Sequence, residues 1–469
     1  MGEDEQGENG GDGRFDGVRF GTDGWRVPVS EFTTPRIRAI GQAVVDYLRA
    51  EDEEAPVAVG YDPRAGSRAA AEELSRVLCA GGFEVVFTER DTPTPVVARS
   101  ILRRGLSGGL QVTASHNPPT DNGIKFLTSD GAPAPTAVMD DIGERLRPPD
   151  PVDETRGTVT ETDLIGVYLD EAEAFLEADL SGLTVAYDAM HGSGRGVTDA
   201  LLSRLGAEVI RLRSDRDPEF GGVRPEPIEE HLGTLREVVV DGDADLGVAN
   251  DGDADRLGVV SSAGFVDPNL LFALLYDHLL DGDTGGVVRT VSTTFLIDRI
   301  AAARGETVRE TPVGFKHVAA AMAESDALVG GEESGGFGLR GHVRNKDGVL
   351  TAALVAAAET GESLDDRIDR LRAEHGAVVQ SRRSIRCPED RKAAALSGLE
   401  AAIPETIAGV EIDDVVTLDG FKLLCVDGSW LLVRPSGTEP KLRLYAEGAT
   451  EARVEALLDE GESLLEAVT

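Results

Sequence analysis

Long apolar runs are missing from this sequence. No stretch reaches the roughly 18 uninterrupted apolar residues that a spanning helix requires, so no membrane segment is expected. Cysteine is scarce: Cys79, Cys387 and Cys425 are widely spaced and form no CxxC pair. That argues against a disulfide framework or a zinc site and leaves three small buried hydrophobes. Aromatic residues make up only 5%, against 41% for the hydrophobic set as a whole, so the cores are expected to be aliphatic. No GxxxxGK[ST] segment occurs, which removes a P-loop kinase. Lysine is scarcer than any other charged residue, with six (Lys125, Lys316, Lys346, Lys392, Lys422, Lys441) among 46 basic residues. Against those 46 stand 85 acidic residues, for a formal net charge of −39. Such a surface repels phosphate backbones, so nucleic acid is excluded as a general partner. Self-repulsion of this size is tolerable where salt shortens the screening length to ~3 Å at 1 M. The balance predicts a halophilic protein in a salt-rich cytoplasm. The acidic, glycine-rich stretch 1–14 has neither a signal-peptide pattern nor a lipidation motif and is expected to be a disordered tail.

What is present is strand–helix alternation over a length that suggests about three or four domains. An apolar strand is expected at 56–62, followed by a helix over 67–80 that Gly81-Gly82 stops. A second strand at 84–88, a helix to about 104 and a strand at 109–113 follow. An earlier helix starts at Thr34-Pro35, where proline suits the first turn. The unit recurs, with strands at 183–188, 208–212 and 245–249 and a helix near 197–205. A third unit has a strand at 286–291 and a helix at 349–359. The last hundred residues differ, with apolar strands around 415–426 and a closing helix at 451–468. The Pro-rich run at 147–152 reads as a linker. The expected organisation is three similar α/β mixed-sheet domains at 15–150, 151–258 and 259–373, then a smaller C-terminal α+β domain at 374–469.

Four loops carry residues suited to chemistry. Thr113-Ala114-Ser115-His116-Asn117-Pro118 follows a strand and is placed to present the Ser115 hydroxyl; the same residues also make an ordinary turn. Asp251-Gly252-Asp253-Ala254-Asp255-Arg256 also follows a strand. Alternation in an extended segment points its three carboxylates one way, where they repel unless a hard cation such as Mg²⁺ or Ca²⁺ sits among them. Position twelve of that run is Ser262, which excludes an EF-hand. The similar Asp241-Gly242-Asp243-Ala244-Asp245 precedes its strand and lacks the arginine, a reminder that solvated acidic loops are common here. Gly330-Gly331-Glu332-Glu333-Ser334-Gly335-Gly336 has glycines that admit a close ligand, and Glu with Ser suits vicinal sugar hydroxyls. Arg434-Pro435-Ser436-Gly437-Thr438-Glu439-Pro440 combines an arginine, two hydroxyls and amides around glycine, a cradle for a phosphate dianion or else a hairpin loop. A nucleophile, a metal site, a hydroxyl-binding loop and a phosphate cradle, one per domain, point together to phosphoryl transfer on a sugar phosphate.

These four segments resemble those of the α-D-phosphohexomutases, the family of phosphoglucomutase and phosphomannomutase. The likeness runs from about Phe20 to the C-terminus, and TASHNP with DGDADR is its most specific pair. FGTDGWR (20–26), GYDPRAGS (60–67), TPTP (92–95), DAMHGSG (188–194) and TPVGFK (311–316) fit as well. The resemblance implies four domains around one central cleft, each giving one loop. It implies that Ser115 carries a phosphoryl group, donates it to a hexose monophosphate, and recovers it from the other end of a bound hexose 1,6-bisphosphate, which also primes the enzyme. One Mg²⁺ would be held by Asp251, Asp253, Asp255 and an oxygen on Ser115. Arg26, His116, Lys125 and Arg256 would surround the phosphoserine, with Lys125 and then Lys316 as proton movers. Glu332 and Ser334 would bind ring hydroxyls, and Arg434, Ser436, Gly437 and Thr438 the non-reacting phosphate. The TPVGFK and GEESGG versions lean towards glucose phosphates.

Four of the six lysines lie in or beside these motifs, as if kept where a compact, transferable proton is useful. Phosphoglucosamine mutase is the enzymatic rival, and a non-catalytic sugar-phosphate sensor the rival of another class; loss of the serine or of a metal carboxylate would mark the sensor, and none is lost. Expected partners are small-molecule hexose phosphates, with neither nucleic acid nor membrane, in a monomeric or homodimeric cytoplasmic enzyme.

Overall fold

The computed structural model describes residues 17–21, 24–152, 156–437 and 439–467, so the expected tail at 1–14 and Thr438 lie outside the described residues. The first sheet has six strands in the order Trp25–Pro28, Asp121–Leu127, Gly108–Val112, Val57–Tyr61, Val85–Thr88, Val159–Thr162. Its centre is parallel, and every residue of Val57–Tyr61 and Gly108–Val112 is buried, as expected of strands covered on both faces. The two-residue period sorts the cover. Val57 and Val59 enter the cluster formed with helices Thr34–Ala50 and Ser67–Ala80, whereas Ala58 faces Val97, Ala98 and Ile101 of helix Thr94–Arg104.

The second sheet runs Gly264–Val266, Leu257–Ser261, Leu246–Asn250, Thr184–Asp188, Glu208–Leu212. The third runs Val308–Thr311, Val287–Thr290, Val329–Gly331, Phe337–Leu339. The last is a wholly antiparallel six-stranded sheet, Val379–Arg386, Lys441–Gly448, Trp430–Pro435, Phe421–Cys425, Val410–Val416, Thr406–Ile407, packed by helices Glu389–Ala402 and Glu451–Glu466. Three mixed-sheet α/β domains and a smaller α+β domain are therefore the architecture.

Sheet pairing crosses two of the expected boundaries. Val159–Thr162 lies beyond the boundary at 150, yet it pairs in parallel with Val85–Thr88 and closes the first sheet. Leu257–Ser261 and Gly264–Val266 extend the second sheet past 258. A proline-rich run marks a break in regular structure and not which sheet takes up the next strand.

One topological feature places all four motif loops. Each joins two antiparallel neighbours: 113–120, 251–256, 332–336 and 436–440. In the three α/β domains the strand entering the loop also pairs in parallel on its other side. The loops thus leave the carboxyl ends of parallel strands, where open α/β sheets bind ligands.

Packing divides the molecule unevenly. One apolar cluster takes in Leu164 to Leu371 together with Val96 of the first domain, so the second and third domains share a core, while the first and last each also have a cluster of their own. The last domain meets the third through a small cluster of Val291, Trp430, Leu432 and Tyr445 and through buried charge. Lys422 is 1% exposed, its Nζ lies 2.9 Å from Glu310 Oε1, and it stands over the rings of Phe295 and Trp430. No helix among the described residues is long and apolar enough to cross a membrane.

Burial and the nearby Arg289 push the Lys422 ammonium down to about 8, with Glu310 opposing. A lysine lowered on folding costs stability while both states are protonated, and that cost fades as pH climbs from the folded value towards the unfolded value of about 10.4. The melting temperature of wild type relative to Lys422→Met is therefore expected to rise between about pH 7 and about pH 10. A constant difference across that range excludes a strained charge at this seam.

Candidate active site

The first loop owes its shape to a buried arginine. Arg64 Nε donates to Asp62 Oδ2 at 2.9 Å, and its terminal nitrogens donate to the carbonyls of Ser115 (2.5 Å), Asn117 (2.8 Å), Pro118 (2.6 Å) and Asp121 (3.1 Å). Asp62 also accepts from the hydroxyl of Thr113 at 2.7 Å, and that hydroxyl in turn accepts from the Ser115 amide at 2.8 Å. Five carbonyl and carboxylate acceptors around one guanidinium hold Ser115 at φ 53°, a left-handed conformation that a non-glycine residue keeps only when its surroundings impose it. Ser115 is fully buried.

Its hydroxyl donates to Asp251 Oδ2 at 2.7 Å, across the seam between the first and second domains. The two loops nest because Gly252 lacks a side chain: a Cβ there would lie 2.6 Å from the Ser115 carbonyl oxygen. The 251–256 segment is a turn, contrary to the extended geometry expected for it. Ala254 is left-handed at φ 55°, and Asp251 Oδ1 accepts from the amides of Asp255 (3.0 Å) and Arg256 (3.1 Å). The carboxylates converge because the chain wraps around them and not because alternate side chains share one face.

Asp251, Asp253 and Asp255 are buried, and each offers a carboxylate oxygen within 4.8 Å of the others. Lys125 Nζ, on strand Asp121–Leu127, reaches Asp253 Oδ2 (2.8 Å) and Asp255 Oδ2 (2.9 Å). Lys346 Nζ, from the third domain, lies 3.0 Å from Asp255 Oδ2, and Thr94 donates to Asp253 at 2.5 Å. Burial, then Asp253 and Asp255, push Asp251 up to about 8; burial opposes ionisation of Asp253 too, but Lys125 outweighs it and holds that group low. Asp253 Oδ1 and Asp255 Oδ1 remain buried without a hydrogen-bond partner among the described residues. Leaving carboxylate oxygens so is costly, and a hard cation taking oxygen ligands satisfies both. The residues fit a divalent metal. The look-alike triplet Asp241, Asp243, Asp245 is exposed.

Cations line the same pocket. Arg256 follows the triad, and its Nε is buried without a partner among the described residues. Arg26 lies on Trp25–Pro28 in register with Gly123, two residues before Lys125. Burial, then Arg256, Arg26, Lys346 and Lys125, hold the His116 imidazolium well below its ordinary range, and its Nδ1 lies 3.4 Å from Ser115 Oγ.

The third loop is the turn of the hairpin between Val329–Gly331 and Phe337–Leu339. It meets the second domain where Leu257 N donates to the Gly335 carbonyl at 2.9 Å. Gly335 is left-handed, and a Cβ on Gly336 would lie 2.4 Å from Lys346 Cδ, so these glycines admit the lysine that reaches the triad. Glu332 is buried and accepts from the Gly314 amide at 2.9 Å; burial raises its carboxyl, with Lys346 and Arg256 opposing. The Ser334 hydroxyl is buried with no partner among the described residues. Lys316 sits half-buried in the first turn of helix Phe315–Ser325, beside the loop segment that holds Glu332, while Lys346 is the third-domain lysine at the carboxylates.

In the fourth loop Arg434 Nε donates to Asp419 at 3.0 Å, Ser436 Oγ accepts from the Glu439 amide at 3.2 Å, and Lys392 Nζ donates to the Ser436 carbonyl at 2.6 Å. Gly437 is exposed.

Direct contacts thus join the loops that hold Ser115, the triad and Glu332, while the fourth reaches them through the third domain. Asp62, Arg64 and Thr94 were not among the expected site residues. They lie in GYDPRAGS and TPTP, but no pattern of residue types marks a side chain that works by holding carbonyls. Lys346 had one signal, the clustering of a rare residue near the motifs.

Comparisons with known proteins agree along the chain. The phosphoglucomutase/phosphomannomutase α/β/α domains I, II and III match residues 17–151, 167–264 and 267–374, and the C-terminal domain matches 384–462. A phosphoglucomutase/phosphomannomutase of Thermococcus kodakarensis is 33% identical over 463 residues, covering 96% of this chain and 99% of the relative. A phosphoglucosamine mutase of Synechococcus sp. is 35% identical over 460 residues, covering 94% of each. A solved structure from Thermus thermophilus is 32% identical, covers 96% of this chain and 99% of its own, and superposes with a TM-score of 0.83. The chain belongs to the phosphoglucomutase/phosphomannomutase family, the α-D-phosphohexomutases.

Proposed function

We propose that this enzyme interconverts hexose 1-phosphate and hexose 6-phosphate, of glucose or mannose, through a phosphorylated Ser115 and a bound hexose 1,6-bisphosphate that also primes it. The hydrogen bond of 2.7 Å from Ser115 Oγ to Asp251 carries this reading, because it sets the nucleophile against the three carboxylates. In the forward half, the bond from phosphorus to Ser115 Oγ breaks as one forms to a sugar hydroxyl oxygen, and the hydroxyl proton leaves to a protein base. The intermediate turns over, and the other phosphoryl group returns to Ser115 with a proton going back to the sugar oxygen.

Each side chain has a task in that cycle. Asp251, Asp253 and Asp255 would hold Mg²⁺, which when bound offsets charge on the transferring group. Arg26 and Arg256 supply fixed positive charge around the phosphoserine. They also give an anionic substrate an attractive pocket in a protein of net charge −39. His116 stands beside the nucleophile, its Nδ1 3.4 Å from Ser115 Oγ, and Lys125 can donate and recover a proton; Lys316 is the second lysine able to do so from the sugar side. Glu332 and the unpartnered Ser334 hydroxyl suit ring hydroxyls. Arg434, Ser436, Gly437 and Thr438 would hold the phosphate that is not reacting. The excess of acidic residues supports a salt-rich cytoplasm as the compartment.

The name of the Synechococcus relative favours a second reading, phosphoglucosamine mutase. Turnover of glucose 1-phosphate, mannose 1-phosphate and glucosamine 1-phosphate is expected to be fastest on the neutral sugars; a faster rate on the amino sugar reverses the assignment.

Ser115→Ala is expected to abolish turnover without lowering the melting temperature. Intact-mass measurement of wild type should show a fraction carrying one phosphate, which excess glucose 6-phosphate removes; a wild type that never carries phosphate sinks the relay. Asp253→Asn is expected to lose both calorimetric Mg²⁺ binding and activity. Full activity in that variant discredits the carboxylate triad as the metal site.

A further inference from the structure

Asp419 precedes strand Phe421–Cys425 in the last domain, and the strand beyond the next turn carries Arg434. One of its oxygens, Oδ2, accepts two hydrogen bonds from different domains. Arg434 Nε donates at 3.0 Å from within the last domain, and the amide of Val313 donates at 3.0 Å from the third. The next amide along the chain, Gly314 N, donates to Glu332 Oε1 at 2.9 Å. Two successive N–H groups are therefore taken by two carboxylates, one behind the phosphate loop and one in the sugar loop.

The backbone at both ends of this relay is restricted. Gly314 has φ 125°, a conformation that side-chain-bearing residues rarely adopt. Gly420, with φ 90°, has no room for a Cβ, which would fall 2.2 Å from the Val433 carbonyl oxygen. Asp419 is thus locked against the strand that presents Arg434. Asp419 engages Nε alone, and no hydrogen bond to the described residues takes up the terminal nitrogens of Arg434. Those two nitrogens are the fork that suits a phosphate.

We propose that Asp419 is a positioning residue that couples phosphate anchoring by Arg434 to the grip of Glu332 on the sugar. This inference rests on the roles given above to those two residues. Asp419 touches neither ligand. It fixes the last domain against the 313–314 peptide, so that a phosphate held by Arg434 and a sugar held by Glu332 are presented at one fixed separation. The coupling is a specificity device. A ligand with phosphate and sugar at the right spacing gains from both contacts, whereas inorganic phosphate gains from Arg434 alone.

The test measures binding, in a Ser115→Ala background that cannot turn substrate over, of inorganic phosphate and of glucose 6-phosphate by calorimetry. Adding Asp419→Ala is expected to weaken inorganic phosphate about tenfold, the scale of one charge-assisted hydrogen bond. Glucose 6-phosphate is expected to weaken about a hundredfold, because the sugar loop loses its register as well. Asp419→Asn keeps the size and one acceptor and should show the same ordering with smaller losses; it decides the question by the same ratio if the alanine variant does not fold. Equal losses for the two ligands mean that Asp419 serves Arg434 alone and overturn the coupling, as does no loss for either. Failure of the Ser115→Ala parent to bind glucose 6-phosphate overturns the phosphohexomutase reading itself, and this inference with it.

Discussion

The contact on which the rest of the molecule depends is the nesting of the Ser115 loop on the 251–256 turn. It brings three carboxylates and a serine hydroxyl out of water together. Burying ionised carboxylates costs several kcal/mol each unless they are paired and hydrogen-bonded. The pairing partners come from elsewhere: Lys125 from the first domain and Lys346 from the third. No single domain can assemble this centre, because each would be left with uncompensated buried charge. The site exists only where three domains meet, and its electrostatics help hold them there.

The topology makes that meeting possible. Each motif loop caps an antiparallel hairpin, and in the α/β domains the hairpin continues a parallel sheet at its carboxyl end. A hairpin loop is short and held from both sides, so it presents its side chains more rigidly than a long crossover. The second and third domains share one apolar core, which keeps the triad and the Glu332 loop in register. The last domain is attached differently, through Lys422, Asp419 and a few apolar side chains.

Much of this was legible in the sequence, and the exceptions share a cause. Ser115, the 251–255 carboxylates and the glycine-flanked Glu332 loop stand in local patterns whose residue types announce their chemistry. The 251–256 segment was misread as extended, because carboxylates at alternate positions fit a strand as readily as a turn. Only the bonds from two amides to Asp251 decide between them. The strand pairing that crosses 150 and 258 was not legible because hydrogen bonding between strands is non-local. Arg64 stayed hidden because its work is to bind carbonyls, and every residue offers one.

Composition and motif spacing therefore determined the inventory: α/β domains, a candidate serine loop, an acidic triad, a glycine-flanked Glu332 loop, an arginine-and-hydroxyl loop and a strongly acidic surface. Tertiary structure alone decided which of those groups meet, which lysines neutralise the triad, and that the 251–255 triplet is buried while its twin at 241–245 lies in water. The physical reason is that residue type sets what a group can do, whereas burial and neighbours set its charge, its partners and its reach. Those depend on contacts between segments far apart in the chain, such as Lys125 and Lys346 with Asp255.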